Sequence, residues 1–183
     1  MSRLDKELQS QDLTLLRISP TLAESAFAAV EASLLQLQQW LWWAQEPFDW
    51  DRYKSFIQEK SMAFDDDLEW RYFAFLPGET AVCGGGSISL NVDAERSRAS
   101  VGYWVRTDLS GRGIATEIAR VLTEAAFRSL EEISTVEISM DELNLASARV
   151  PERLGFTCLG SSSKPMRALG HSGRGLIWSM QRR

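Results

Sequence analysis

Three stretches of this chain hold residue types and spacings that could do chemistry. Ser110-Gly111-Arg112-Gly113 lies between an alternating apolar run and a helically spaced one. Two glycines around an arginine leave backbone N–H groups bare at a helix start. Bare amides and the positive end of the helix dipole both favour an anion such as phosphate. The same glycines also suit a tight strand-to-helix turn that needs their dihedral freedom. Asn144 and Ser147 open a second helical stretch, where either side chain can cap the first turn. Trp40, Trp42 and Trp43, with Phe48 and Trp50 close behind, supply apolar bulk with one polar edge. That combination suits a binding surface as well as helix packing.

Other chemistries lack their residues. Cys83 and Cys158 are far apart and His171 is the only histidine, so no zinc-ligand spacing exists and no metal is expected. No Ser–His–Asp or Cys–His machinery can be assembled without that one histidine. Gly84-Gly85-Gly86 lacks a following Lys-Ser/Thr, which argues against a nucleotide P-loop.

The elements around these stretches follow from hydrophobic period. Leu13–Ile18 predicts a first strand, ended by Ser19-Pro20. Thr21 and Glu24 then form a capping box for a helix running to about Gln39. Pro47 excludes a continuous helix through the tryptophan cluster, and Asp49 is placed to cap a second helix that fades in Asp65-Asp66-Asp67. From Leu68 the pattern turns to strands: Trp70 to Leu76, then Ala81 to Leu90, with a bulge or close backbone approach at the three glycines. A polar loop, Asp93 to Ser97, leads into Val101-Gly102-Tyr103-Trp104-Val105, where Val101, Tyr103 and Val105 face opposite to Ser100, Gly102 and Trp104. Ile114, Ile118, Val121, Leu122 and Ala125 give the next helix its apolar face. Val136, Ile138 and Met140 alternate on a further strand, and Asn144 to Leu154 is a short helix stopped by Gly155. Pro151 fits that helix if it starts near Ser147. Phe156 to Gly160 and Leu176 to Met180 close the chain as strands.

A chain of 183 residues suits one cored domain. Its 44% hydrophobic and 25% charged content is ordinary for a globular protein. A net charge of −5 argues against a nucleic-acid partner, which would call for a basic face. The first residues have no apolar leader and no run approaches a membrane span, so a cytoplasmic protein with reduced thiols and no membrane partner is expected.

Taken together, the motifs resemble the GCN5-related N-acetyltransferase (GNAT) superfamily, and within it the RimJ/RimL-like ribosomal-protein branch. One motif is Val101 to Val105 followed by Gly111-Arg112-Gly113-Ile114-Ala115-Thr116-Glu117, similar to a "GYW…GxGxAT" block. The other is Asn144 to Arg149 ending in Arg153-Leu154-Gly155-Phe156, similar to an "NxxS…LGF" block. The specific match covers about residues 99 to 160. The resemblance implies an α/β fold with a central, mostly antiparallel sheet of six to seven strands, helices on both faces, and one N-acetyltransferase domain over residues 1–183 with a flexible or peripheral N-terminus at 1–11.

It also implies acetyl-CoA as donor. The pyrophosphate would sit on the amides of Gly111, Arg112, Gly113 and Ala115, beside Ile114 and Thr116. The pantetheine arm would enter between two splayed strands along Tyr103, Trp104 and Val105, with Asn144 touching it. Ser147 matches a serine placed near the thioester sulfur, where a hydroxyl can stabilise or protonate the leaving thiolate. Trp40, Trp42 and Trp43 fall in the segment that lines the acceptor side. The branch points to a protein N-terminal amine as acceptor; an amino acid, a polyamine or an antibiotic is the alternative, as is a coenzyme-A-binding module that has lost catalysis. A monomer or homodimer is expected. Two positions depart from the pattern: Ser100 stands where relatives often carry glutamate, and Asp108 where a basic or amide residue is common. Glu137 is on the polar face of its strand, and no general base is assigned.

Overall fold

Alternation along one strand explains why the protein has two cores. Trp70, Tyr72 and Ala74 belong to one buried cluster, while Phe73 and Phe75 belong to another, because successive side chains leave opposite faces of a sheet. The computed structural model describes residues 2–45, 47–90 and 97–182. Chain order gives β1 (Glu7–Gln9), β2 (Thr14–Arg17), α1 (Ala23–Glu31), α2 (Leu34–Trp40) and α3 (Trp50–Asp65). Then follow β3 (Glu69–Phe75), β4 (Val82–Leu90), β5 (Arg98–Val105) and α4 (Ile114–Ser129). The last elements are β6 (Thr135–Asp141), α5 (Leu145–Arg153), β7 (Thr157–Ser163) and β8 (Arg174–Gln181). The polar-loop residues Asp93 to Arg96 lie outside the described residues.

The strands form one sheet in the order β1-β2-β3-β4-β5-β6-β8-β7. Every pairing is antiparallel except β5 with β6, the pair joined through α4. A parallel pair needs such a crossover, and α4 provides it. Its apolar stripe, with Ile118 and Leu122 fully buried, covers β4, β5 and β6. The opposite face is covered by α1 and α3 through Val30 and Ile57. The glycines of β4 let α4 approach closely: a Cβ at Gly86 would lie 2.5 Å from Leu122 Cδ1. The register shift between Ala74 and Phe75 puts a bulge at Cys83, just before the three glycines where one was expected; the glycines themselves pair in register.

Among the described residues the sheet has eight strands rather than six or seven. The extra one is β1, in the segment 1–11 expected to be flexible or peripheral. Leu4 and Leu8 are buried in the α4-side core, and the Tyr72 hydroxyl donates to the Asp5 carbonyl at 2.8 Å. Two helix expectations also change. The run from Thr21 to Gln39 is broken after Glu31, where Ser33 is buried and its hydroxyl accepts from Thr107 N at 2.9 Å. Thr21 does not cap α1; it sits in a single 3-10 turn with Pro20, and its hydroxyl meets that of Ser19 at 2.6 Å. Asp49 caps α3 as expected, accepting from Arg52 N. The helix α5 begins at Leu145, not near Ser147, so Pro151 lies in its second half. Gly155 takes φ 79° and ends it, with Phe156 N donating to Pro151 O and Gly155 N to Glu152 O.

The strands β5 and β6 pair only from Arg98 to Ser100 against Thr135 to Glu137. Beyond that point β6 continues along β8 to Asp141, and among the described residues Val101 to Val105 keep strand partners only on β4. The two strands diverge into a wedge.

Candidate active site

At the open end of the wedge stands the β5–α4 loop. Gly111 and Gly113 adopt φ of 80° and 84°, a region that costs little only for glycine. A Cβ at either would meet nothing within 4 Å, so backbone conformation rather than packing requires these glycines. Gly113 is the N-cap of α4 and has no side chain to cap it, so the first-turn amides of this 16-residue helix stay available. The loop is held by the buried Leu109, by Ser33, and by the Arg106–Asp108 pair at 2.9 and 2.6 Å. Hydrogen bonding from Arg106 holds the Asp108 carboxyl below its usual range. Its charge is therefore paired within the loop.

A cleft of about 390 Å³ runs from this loop into the wedge. Tyr103, Trp104 and Val105 form one wall; Gly111, Gly113, Ile114, Ala115 and Thr116 form the floor; Asn144 and Ser147 stand opposite. Of the residues expected at a cofactor site, only Arg112 is not on its walls, and its side chain is exposed. Arg149 and Arg153 of α5 also line it, two cations that the motif reading passed over. Their i,i+4 spacing was the available signal, since it puts both on one helix face.

Asn144 Oδ1 accepts from Ser147 N at 3.2 Å and so is the N-cap of α5. Ser147 is not the cap. Its hydroxyl lies 3.1 Å from the Tyr103 hydroxyl, which is also 3.0 Å from the Ser147 carbonyl oxygen. Burial pushes the Tyr103 phenol up to about 12, against the lowering effect of the Ser147 contact, so it stays a neutral donor near pH 7.

A second cavity, of about 490 Å³, meets the first at Trp40, Leu41, Tyr103, Asn144 and Ser147. Its far wall is Ser139, Asp141, Lys164 and His171. Burial would raise the Asp141 carboxyl, but N–H donors from Leu143 (3.0 Å) and Ser172 (2.8 Å) and the Ser172 hydroxyl bring it below its usual range. His171 Nδ1 accepts from Arg167 N at 3.1 Å, which leaves Nε2–H to donate to the Trp40 carbonyl at 3.1 Å. The one histidine thus clamps the β7–β8 loop to the end of α2. Burial lowers the ammonium of Lys164, whose Nζ is 3.3 Å from Ser139 Oγ.

The tryptophan trio is divided. Trp40 stands at the junction of the two cavities. Trp42 is 56% exposed and lines the second cavity and a smaller one of about 190 Å³ on the α1–α3 face of the sheet. Trp43 also lines the smaller one, but it packs on Phe56 and edge-on against Trp104 at 6.1 Å. Glu137, the register partner of Ser100, is ion-paired with Arg98 at 2.9 Å.

Comparison with known proteins agrees with this architecture. The family profile described as Acetyltransferase (GNAT) domain matches residues 12–157. The chain is 30% identical over 155 residues to the "Putative ribosomal N-acetyltransferase YdaF" of Bacillus subtilis (strain 168), covering 80% of this chain and 79% of that one. Among solved structures, the ribosomal L7/L12 alpha-N-protein acetyltransferase RimL, in complex with coenzyme A, superposes with a TM-score of 0.85 at 20% identity, over 96% of this chain and 97% of that one. The microcin C7 self immunity acetyltransferase MccE, in complex with acetyl-CoA and AMP, gives 0.82 at 22% identity, over 94% of each chain. The wedge, the glycine loop and the profile match lead to one assignment: this chain belongs to the GNAT family of N-acetyltransferases.

Proposed function

We propose that the protein transfers the acetyl group of acetyl-CoA to a primary amine by direct attack on the thioester, with a protein N-terminus as the acceptor. The observation that carries this reading is the wedge itself, where β5 and β6 part at Ser100 and Glu137 and open onto the bare N-terminus of α4. The amides of that turn suit a pyrophosphate. Arg149 and Arg153 add positive charge on the facing wall. The unpartnered edge of Tyr103 to Val105 suits the amides of a pantetheine arm, as an added strand would. A thioester at the apex would lie beside Ser147. The attacking amine adds to the carbonyl carbon, the carbonyl electrons move onto oxygen, and their return expels the thiolate. Ser147 Oγ–H is placed to stabilise that sulfur, and Asn144 fixes Ser147 by capping its backbone N–H. The amine's proton leaves to solvent through the second cavity, since Glu137 is ion-paired with Arg98.

The acceptor enters by the cavity of about 490 Å³, past Trp40 and Trp42. A protein N-terminus is favoured by the similarity to YdaF and to RimL, whose names describe ribosomal-protein acetylation. A small-molecule amine is the second reading, favoured by the likeness to MccE, which acts in microcin immunity. No helix among the described residues is long and apolar enough to cross a membrane. We place the enzyme in the cytoplasm, as a monomer or homodimer.

Coenzyme A release from acetyl-CoA, measured against panels of peptides, amino acids and polyamines, tests this. Turnover with peptides bearing a free N-terminus is expected, and blocking that N-terminus should abolish it. Turnover with small amines alone would shift the function to the second reading. Coenzyme A binding with no turnover on any amine would make the protein a binding module.

A further inference from the structure

We propose that Tyr103 is a positioning residue for Ser147, and that Pro151 is what makes its hydrogen bond possible. In a regular helix the N–H of residue 151 would donate to the Ser147 carbonyl, four residues back. Proline has no N–H, so that carbonyl is released from the helical ladder. The Tyr103 hydroxyl, 44 positions away in sequence, lies 3.0 Å from it. Tyr103 stands on β5 and Ser147 on α5, so the contact joins two elements that line both cavities of the site.

The donor inventory fixes its direction. A carbonyl oxygen only accepts, so the phenolic hydrogen goes to Ser147 O. The 3.1 Å contact between the two hydroxyls is then satisfied only if Ser147 Oγ–H donates to the phenol oxygen. Backbone and side chain of one residue are held by one hydroxyl group, which fixes the Ser147 rotamer. When a thiolate develops beside it, Ser147 turns its hydrogen to the sulfur; Oγ then accepts, and shares the phenolic hydrogen with the carbonyl 3.0 Å from the phenol oxygen, so the phenol supports Oγ in the transition state as well. No covalent O–H bond breaks at Tyr103. Asn144 holds the same residue from the N–H side, so Ser147 is tied at all three of its polar groups. Such fixing of a group that serves the transition state is where binding geometry becomes rate.

The inference rests on the proposed role of Ser147, and two readouts separate the two claims. Tyr103→Phe, Pro151→Ala and the double variant are compared by urea unfolding, by coenzyme A titration, and by kcat and KM. Tyr103→Phe is expected to lower kcat about tenfold, the range of one hydrogen bond lost near a charged group, with coenzyme A affinity unchanged. Pro151→Ala restores an N–H for the Ser147 carbonyl. In that background Tyr103→Phe should cost less stability than in the wild type, while its kcat defect persists because Oγ still lacks the phenol. Additive stability losses, or a wild-type kcat for Tyr103→Phe, would overturn the proposal. A wild type that releases no coenzyme A with any amine overturns the function instead, and the unfolding cycle still decides whether Tyr103 and Pro151 act on one carbonyl.

Discussion

Replacing Gly113 by aspartate puts a side chain at a position whose φ is 84° and whose Cβ would meet no protein atom within 4 Å. Two costs arise, and they separate. The left-handed backbone costs a residue with a Cβ about 1–2 kcal/mol, a loss of fold stability that alanine would share. The carboxylate adds a charge beside the place assigned to the pyrophosphate. Two unit charges about 5 Å apart at an effective dielectric near 20 repel by about 3 kcal/mol. At about 1.4 kcal/mol per decade, coenzyme A binding should weaken roughly a hundredfold or more. Calorimetric titration with coenzyme A and with S-acetylpantetheine, which lacks the pyrophosphate, makes the test specific. Gly113→Asp should lose coenzyme A and keep whatever affinity it has for S-acetylpantetheine, with Gly113→Ala between it and the wild type. Wild-type coenzyme A affinity in Gly113→Asp would refute the loop assignment, as would equal losses of both ligands.

Three further outcomes follow from other parts of the site. Ser147→Ala should lower kcat about a hundredfold, the lower range for a positioned acid–base group, with coenzyme A affinity intact; unchanged turnover would make Ser147 a purely structural residue. Trp42→Ala should raise the acceptor KM with little loss of stability, because the ring is exposed, whereas Trp43→Ala should cost about 3 kcal/mol of stability, because its ring packs on Phe56 and Trp104. Asp141 titrates below its ordinary value in the folded state, so its contribution to stability is complete above about pH 4 and is lost as pH falls through the lower folded value. Thermal unfolding from pH 2 to 7 should show that acid-dependent component in the wild type and lack it in Asp141→Asn, which should also melt lower at neutral pH.

Where local pattern and burial coincide, the fold was legible in the residues themselves. The strand from Val101 to Val105 alternates, α4 repeats its apolar residues at helical spacing, and both fall where expected. The strand β1 escaped because three residues with one buried position carry no period. The break after Glu31 turns on Ser33, whose hydroxyl is useful only because the fold brings Thr107 to it. The same holds for the second cavity. Asp141, Lys164 and His171 show no motif, and they share a wall only because β8 lies beside β6 and the loop before it reaches Trp40. The glycine loop and the Asn144–Ser147 cap were visible because their geometry is set by backbone and by neighbours close in sequence. The tryptophans were not sortable, since exposure separates Trp42 from Trp43 and adjacent residues give no sign of it.

The most direct measurement is a crystal structure of the protein soaked with acetyl-CoA. It should show the pyrophosphate on the amides of the turn from Gly111 to Ala115, the pantetheine arm along the free edge of Tyr103 to Val105, and the thioester sulfur within hydrogen-bond reach of Ser147 Oγ. A ligand bound outside the wedge, or one whose sulfur lies away from Ser147, would contradict it.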